Sequence, residues 1–150
     1  MPWPLSAVVA LMLVATPVPV DTRPEPVTLT GQVVPLGDAL KGEGVAADPE
    51  PIAAQVVLKT DAGAIVPLLS DEASRALFRD DRLRRRPVEI RGLKRSGLPY
   101  LQVVTFRVED QGRLRTPEYY CEICTISVRS PQTCPCCQGP MELRMKPESR

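Results

Sequence analysis

The stretch PVEIRGLKRSGLPYLQVVTFRV, Pro87 to Val108, decides the fold. Its first seven residues alternate, with Val88 and Ile90 set between Pro87, Glu89 and Arg91. That is the two-residue period of a half-buried strand. Gly97-Leu98-Pro99 turns the chain, and residues 100–108 (YLQVVTFRV) form a second strand rich in β-branched and aromatic side chains. A lone pair of strands is marginal in water, so more strands must cover one face.

The residues upstream supply them. Residues 27–33 (VTLTGQV) alternate in the same way, and 55–59 (QVVLK) and 64–69 (AIVPLL) flank the hairpin turn Thr60-Asp61-Ala62-Gly63. Ser70-Asp71-Glu72 reads as an N-cap with acids in the first turn. Ala73, Ala76 and Leu77 follow at helical spacing, with arginines towards the end, which predicts one short helix. Residues 37–51 are rich in Gly, Pro, Asp and Ala, carry Lys41, Glu43 and Asp48, and predict a long surface loop. The order strand, strand, strand, helix, strand, strand resembles the OB-fold, a Greek-key barrel. The expected fold is mainly β: a small OB-like five-stranded barrel with one short helix over residues 27–112, then a separate C-terminal module over 117–145. A linker at 21–26 precedes the barrel and a tail at 146–150 ends the chain.

Composition removes several function classes. The 19 basic and 18 acidic residues leave a net charge of +1, without the basic excess of a nucleic-acid binder. Residues 27–69 contain no Phe, Trp or Tyr, so the second and third strands offer no stacking platform, and no nucleic-acid partner is expected. Arg79, Arg82, Arg84, Arg85 and Arg86 read as a solvated helix face partly paired with Asp80 and Asp81. Tyr100 and Phe106 read as core. The chain has no histidine, which removes the usual general base and the Ser-His and Cys-His nucleophile pairs.

All five cysteines lie between Cys121 and Cys137. Cys121-Glu122-Ile123-Cys124 and Cys134-Pro135-Cys136-Cys137 are two Cys-x-x-Cys pairs separated by nine residues. Such a spacing lets one tight turn present two thiolates to one ion, and backbone amides near the second cysteine can donate to the sulfurs. The predicted site is one structural zinc held by Cys121, Cys124, Cys134 and Cys137 in a zinc ribbon. Cys136 can substitute for Cys137, but the spacing favours it as a spare, partly exposed thiol.

Tyr119, the two cysteine pairs and Gly139-Pro140-Met141-Glu142-Leu143 together resemble the heavy-metal-binding domain attached to bacterial copper-transporting ATPases and efflux adaptors. Tyr119 matches that family's tyrosine two before the first cysteine. Cys134, Pro135 and Cys137 match its proline-led knuckle. Gly139, Met141 and Leu143 match its tail, with one residue inserted before the glycine and one before the methionine. Glu122 stands where the family has proline, and Cys124 where it usually has histidine. The resemblance spans about 25 residues and implies the shape of the module more than a transport role.

Other readings of the cysteines compete with zinc. Two disulfides would leave one of the five thiols over, and a bridge between the neighbours Cys136 and Cys137 would be strained. A thioredoxin-type pair should open a helix, but Thr125-Ile126-Ser127-Val128 is β-branched. An iron centre of the rubredoxin type has a far longer loop between its knuckles, going by that family. Copper is the remaining alternative, with Met141 and Met145 as added soft ligands or, more simply, as packing side chains.

Residues 5–15 (LSAVVALMLVA) are uncharged and apolar, and proline-rich residues 16–20 end the run. A membrane span needs about 20 such residues, so residues 1–20 read as a signal peptide or apolar leader. Membrane contact is expected only through that leader if it is uncleaved. The expectation is a non-enzymatic exported protein of the periplasm or cell envelope, a binding or scaffold module whose barrel takes an unidentified protein or small molecule. Envelope handling of copper or zinc is the alternative, a thiol-redox protein the further one, and a cytoplasmic location the alternative to export.

Overall fold

The computed structural model describes residues 23–147; the leader over residues 1–20 lies outside the described residues. The first predicted strand runs further than its alternating stretch, as β1 (Glu25–Pro35), and absorbs part of the expected linker. Along Glu25–Gln32 it pairs antiparallel with β4 (Pro87–Lys94), and along Gly31–Pro35 with β2 (Val56–Thr60). Gly31 and Gln32 pair on both sides. A Cβ on Gly31 would stand 2.1 Å from the Lys59 carbonyl oxygen, so only glycine fits this crossing of strands. The hairpin turn at residues 60–63 forms as read and leads to β3 (Ile65–Pro67). The deciding stretch makes β4 and β5 (Leu101–Asp110), with a bulge between Arg91 and Gly92. Gln111 and Gly112, both at positive φ, then turn the chain into an unpredicted β6 (Arg113–Arg115).

The result is a six-stranded sheet of order β3-β2-β1-β4-β5-β6, not a closed five-stranded barrel. The sheet comes near closing on itself: Leu68, just past β3, and Leu101 at the start of β5 form one parallel bridge, with the Leu69 N–H donating to the Leu101 carbonyl at 2.9 Å. The backbone explains why the seam stops there. The next parallel rung towards β3 would need N–H donors from Pro67 and Pro99, which have none. The next rung the other way would need the N–H of Asp71, which is already given to Ser74 Oγ at 3.0 Å.

Helix content also differs from the reading. The expected surface loop carries α1 (Leu36–Gly42) and α2 (Pro49–Ile52). Ala39 is buried by α1, and the Asp48 carboxylate accepts the Glu50 N–H to start α2 after Pro49. These helices are too short for a periodic pattern to reveal them. The one predicted helix is α3 (Arg75–Arg79), followed by a single 3-10 turn at Asp81–Leu83. Its entry is organised by Asp71 and Ser74, which exchange side chain to backbone hydrogen bonds, not by Ser70.

Leu77 of α3 and Leu83 of the 3-10 turn are fully buried on the sheet with Val33, Leu58, Ile90 and Val108. Burying each such leucine contributes roughly 2 kcal/mol. Phe106 joins this core as read, whereas Tyr100 is exposed, which corrects its core assignment. A second sheet of order β8-β7-β9 holds β7 (Pro117–Cys121), β8 (Ile126–Val128) and β9 (Glu142–Met145). Tyr119 of β7 belongs to the same buried cluster as the first sheet, and Val128, Met141, Leu143 and Met145 pack against it. Both methionines are therefore packing side chains here.

Candidate metal centre

The first knuckle grows out of β7. Cys121 is the last residue of that strand and pairs with Ile126 at the start of β8, so the chain must reverse within residues 122–125. The Thr125 N–H closes the turn on the Cys121 carbonyl at 2.8 Å, with Thr125 at φ +56°. The second knuckle repeats this closure. The Gln138 N–H donates to the Cys134 carbonyl at 2.9 Å, with Gln138 at φ +58°. In both, the fourth residue after the first cysteine takes the left-handed conformation. Gly139 lies one residue past this reversal. Its own role is space, since a Cβ there would come 3.3 Å from Cys137 Sγ.

These turns bring together the sulfurs of Cys121, Cys124, Cys134 and Cys137, all within 4.8 Å of one another. Cys121 and Cys137 Sγ are 3.6 Å apart. Four sulfurs about 2.3 Å from a tetrahedral zinc are separated by about 3.8 Å, so the donor set and its spacing fit such an ion. A disulfide needs about 2.05 Å, and all five cysteines are unbridged. Cys136 is outside the four-sulfur group and exposed to solvent. Cys121 and Cys134 are buried, Cys124 is half-buried and Cys137 exposed, so the set has an inner and an outer side.

Backbone N–H groups favour the charged form at both inner sulfurs, and prevail at Cys134. The N–H groups of Cys137 and then Cys136 hold the Cys134 thiol down at about 7, against the opposing effect of burial. At Cys121 the Cys124 N–H acts in the same direction, but burial and the neighbouring thiols of Cys134 and Cys137 outweigh it and the net shift is upward. The Cys124 thiol is pushed well up, first by its contact with the Cys136 thiol and then by Cys137 and burial. Four thiols this close cannot all ionise together without a cation between them. A dication offsets two of the four charges, and the backbone N–H groups offset part of the rest.

A buried link behind the centre had no local sequence signal. Tyr119, two residues before Cys121, donates its hydroxyl to Asp80 Oδ2 at 2.7 Å, 39 residues away. Asp80 also receives the Arg82 backbone N–H and a forked contact from the Arg82 guanidinium. These bonds, Arg82's first, hold the Asp80 carboxyl down at about 2. Arg84, Arg85 and Arg86 of the arginine run are engaged as well. Arg84 pairs with Asp81 and caps the Leu77 and Phe78 carbonyls, while Arg85 meets Asp38 and Arg86 meets Asp110. The run was read as partly paired with Asp80 and Asp81; Asp38 and Asp110 are partners that only folding supplies.

No family model, curated protein or solved structure matches the chain. The likeness of residues 119–143 to a heavy-metal-binding domain therefore rests on the cysteine cluster itself. Among the described residues, no helix is long and apolar enough to cross a membrane.

Proposed function

We propose that this is a non-enzymatic exported binding or scaffold protein, a β-rich body whose C-terminal ribbon is organised around one structural zinc ion. The four-sulfur cluster carries this reading: with four protein thiolates no coordination position is open for a substrate, which is the mark of a structural site. Zinc would supply the folding free energy that three strands of three to five residues cannot supply from their own packing. An OB-like body is supported by β1 pairing with both β2 and β4, by α3 between β3 and β4, and by the parallel bridge from Leu68 to Leu101. Export is supported by the apolar run of residues 5–15.

The test is metal content per chain, measured with free thiols on the full-length protein. One zinc per chain, with thiols that react only after chelation and unfolding, supports the structural reading. Two disulfides and no metal would sink it. Envelope metal handling is the second reading, favoured by the exposed sulfurs of Cys136 and Cys137 on the outer side of the set. It predicts copper or zinc that exchanges within minutes with a competing thiol ligand.

A further inference from the structure

The seam that the prolines hold open leads into a cleft of about 550 Å³. One wall is β3, with Ile65, Val66 and Pro67; the other is the hairpin between β4 and β5, with Lys94, Arg95, Leu98 and Tyr100. That volume falls in the range of small-molecule sites, roughly 300–1,000 Å³. We infer that this seam binds a small organic anion, a carboxylate or phosphate ester carried on a flat apolar ring. The inference gives a ligand class to the binding role proposed above and rests on that role.

Charge comes first. Among the described residues, neither Lys94 nor Arg95 makes an ion pair, although most other arginines do. Arg95 is nevertheless fixed in place, because Nε and one terminal nitrogen donate to the neutral Gln102 Oε1 at 3.1 and 2.9 Å. Its remaining N–H donors and its full charge are left for an oxyanion, which guanidinium groups bind by charge-assisted hydrogen bonds. Arg23 also lines the wall, and among the described residues Glu25 is the single carboxylate there. Apolar surface comes second. Tyr100 is 41% exposed and Leu98 57% exposed beside these cations, facing the half-buried Ile65 and Val66. An aromatic face next to an anion site suits a ring that stacks while its acid group meets Arg95.

The same prolines argue against a peptide added as a strand. Such a strand would take its hydrogen bonds from the β3 edge. There Val66 faces β2 and Pro67 has no N–H, which leaves Ile65 as the sole residue of β3 able to offer a full pair. A small ligand needs no such ladder.

The experiment follows backbone amide NMR shifts of the zinc-loaded full chain during titration with benzoate, phenyl phosphate, benzyl alcohol and inorganic phosphate. We expect saturable shifts at Ile65, Val66, Arg95 and Leu101 with benzoate or phenyl phosphate, the tighter of the two identifying the acid group. Arg95→Gln and Lys94→Gln should each weaken binding about tenfold, as loss of a charged hydrogen bond does. Both residues are exposed, so neither change endangers the fold. Benzyl alcohol binding as tightly as benzoate would overturn the anion assignment, and inorganic phosphate binding as tightly as phenyl phosphate would overturn the ring. An acidic peptide that displaces both aromatic anions at lower concentration would replace the small ligand with a strand. Absence of any shift in a chain with full zinc content overturns the seam site and leaves the structural ribbon standing; anion binding without zinc does the reverse.

Discussion

Tyr119 donates its phenolic proton to Asp80 across 2.7 Å, joining the strand that carries Cys121 to the 3-10 turn packed on the first sheet. Both groups are buried, with Tyr119 1% and Asp80 6% exposed. The bond fixes how the ribbon sits on the body more tightly than apolar packing alone, because it has one geometry.

Removing it should be felt throughout the molecule. Tyr119→Phe keeps the ring and its packing, but takes one donor from a buried carboxylate, and should cost about 2 kcal/mol. For a chain of this size that lowers the melting temperature by roughly 4–8 °C. Urea unfolding and calorimetry measure it directly; stability equal to wild type would mean the bond is absent in solution.

Acid should act through the same carboxylate. Its folded pKa, about 2, lies below the ordinary 3.8 because the charged form is stabilised in the fold. A depressed pKa stabilises the protein above the unfolded value, and the benefit disappears as pH falls from about 4 to 2. The shift corresponds to about 2 kcal/mol. Asp80→Asn should therefore be less stable than wild type at pH 6, with the gap narrowing by pH 2.5. A gap that stays constant across that range would assign the cost to packing.

The cysteines should divide by depth and register. Cys134→Ser removes a buried sulfur of the four-membered set and should weaken zinc by more than the roughly 100-fold that a lost supporting contact costs. Cys136→Ser should leave stoichiometry and affinity unchanged, because its sulfur is outside that set. Competition with a chromogenic chelator reads both. Loss of zinc in the Cys136 variant would make it a ligand and overturn the assignment of Cys137.

Backbone geometry supplies a pair of opposite effects. Gln138 at φ +58° carries the cost of a side chain in the left-handed region, so Gln138→Gly should stabilise the zinc-bound protein by up to about 1 kcal/mol. Gly31→Ala should destabilise by about 3 kcal/mol, since its Cβ would overlap the Lys59 carbonyl in a paired strand. Denaturant midpoints of the two variants should move in opposite directions; movement in the same direction would refute the reading of one of these sites.

Local patterns determined much of this protein. Alternation over residues 27–33 and 87–93 places two strands, because a strand must show one face to the core at every second residue, and the turn at residues 60–63 places the two that flank it. The two Cys-x-x-Cys pairs name the four clustered sulfurs, because a tight turn is a property of four or five consecutive residues. Short-range reading missed α1 and α2, whose few residues make no period, and β6, whose three residues make no alternation. Tertiary structure alone decided what depends on residues far apart in the chain. Pro67 and Pro99 mean little separately, but once Leu68 meets Leu101 they stand on opposite sides of a seam that neither can close. Tyr119 and Asp80, 39 residues apart, meet only through the packing of the second sheet on the first. The arginine run likewise looks like a solvated charge cluster until folding brings Asp38 and Asp110 to it. Hydrogen bonds and ion pairs act over a few ångströms in space, whatever the separation along the chain, and only the fold sets those distances.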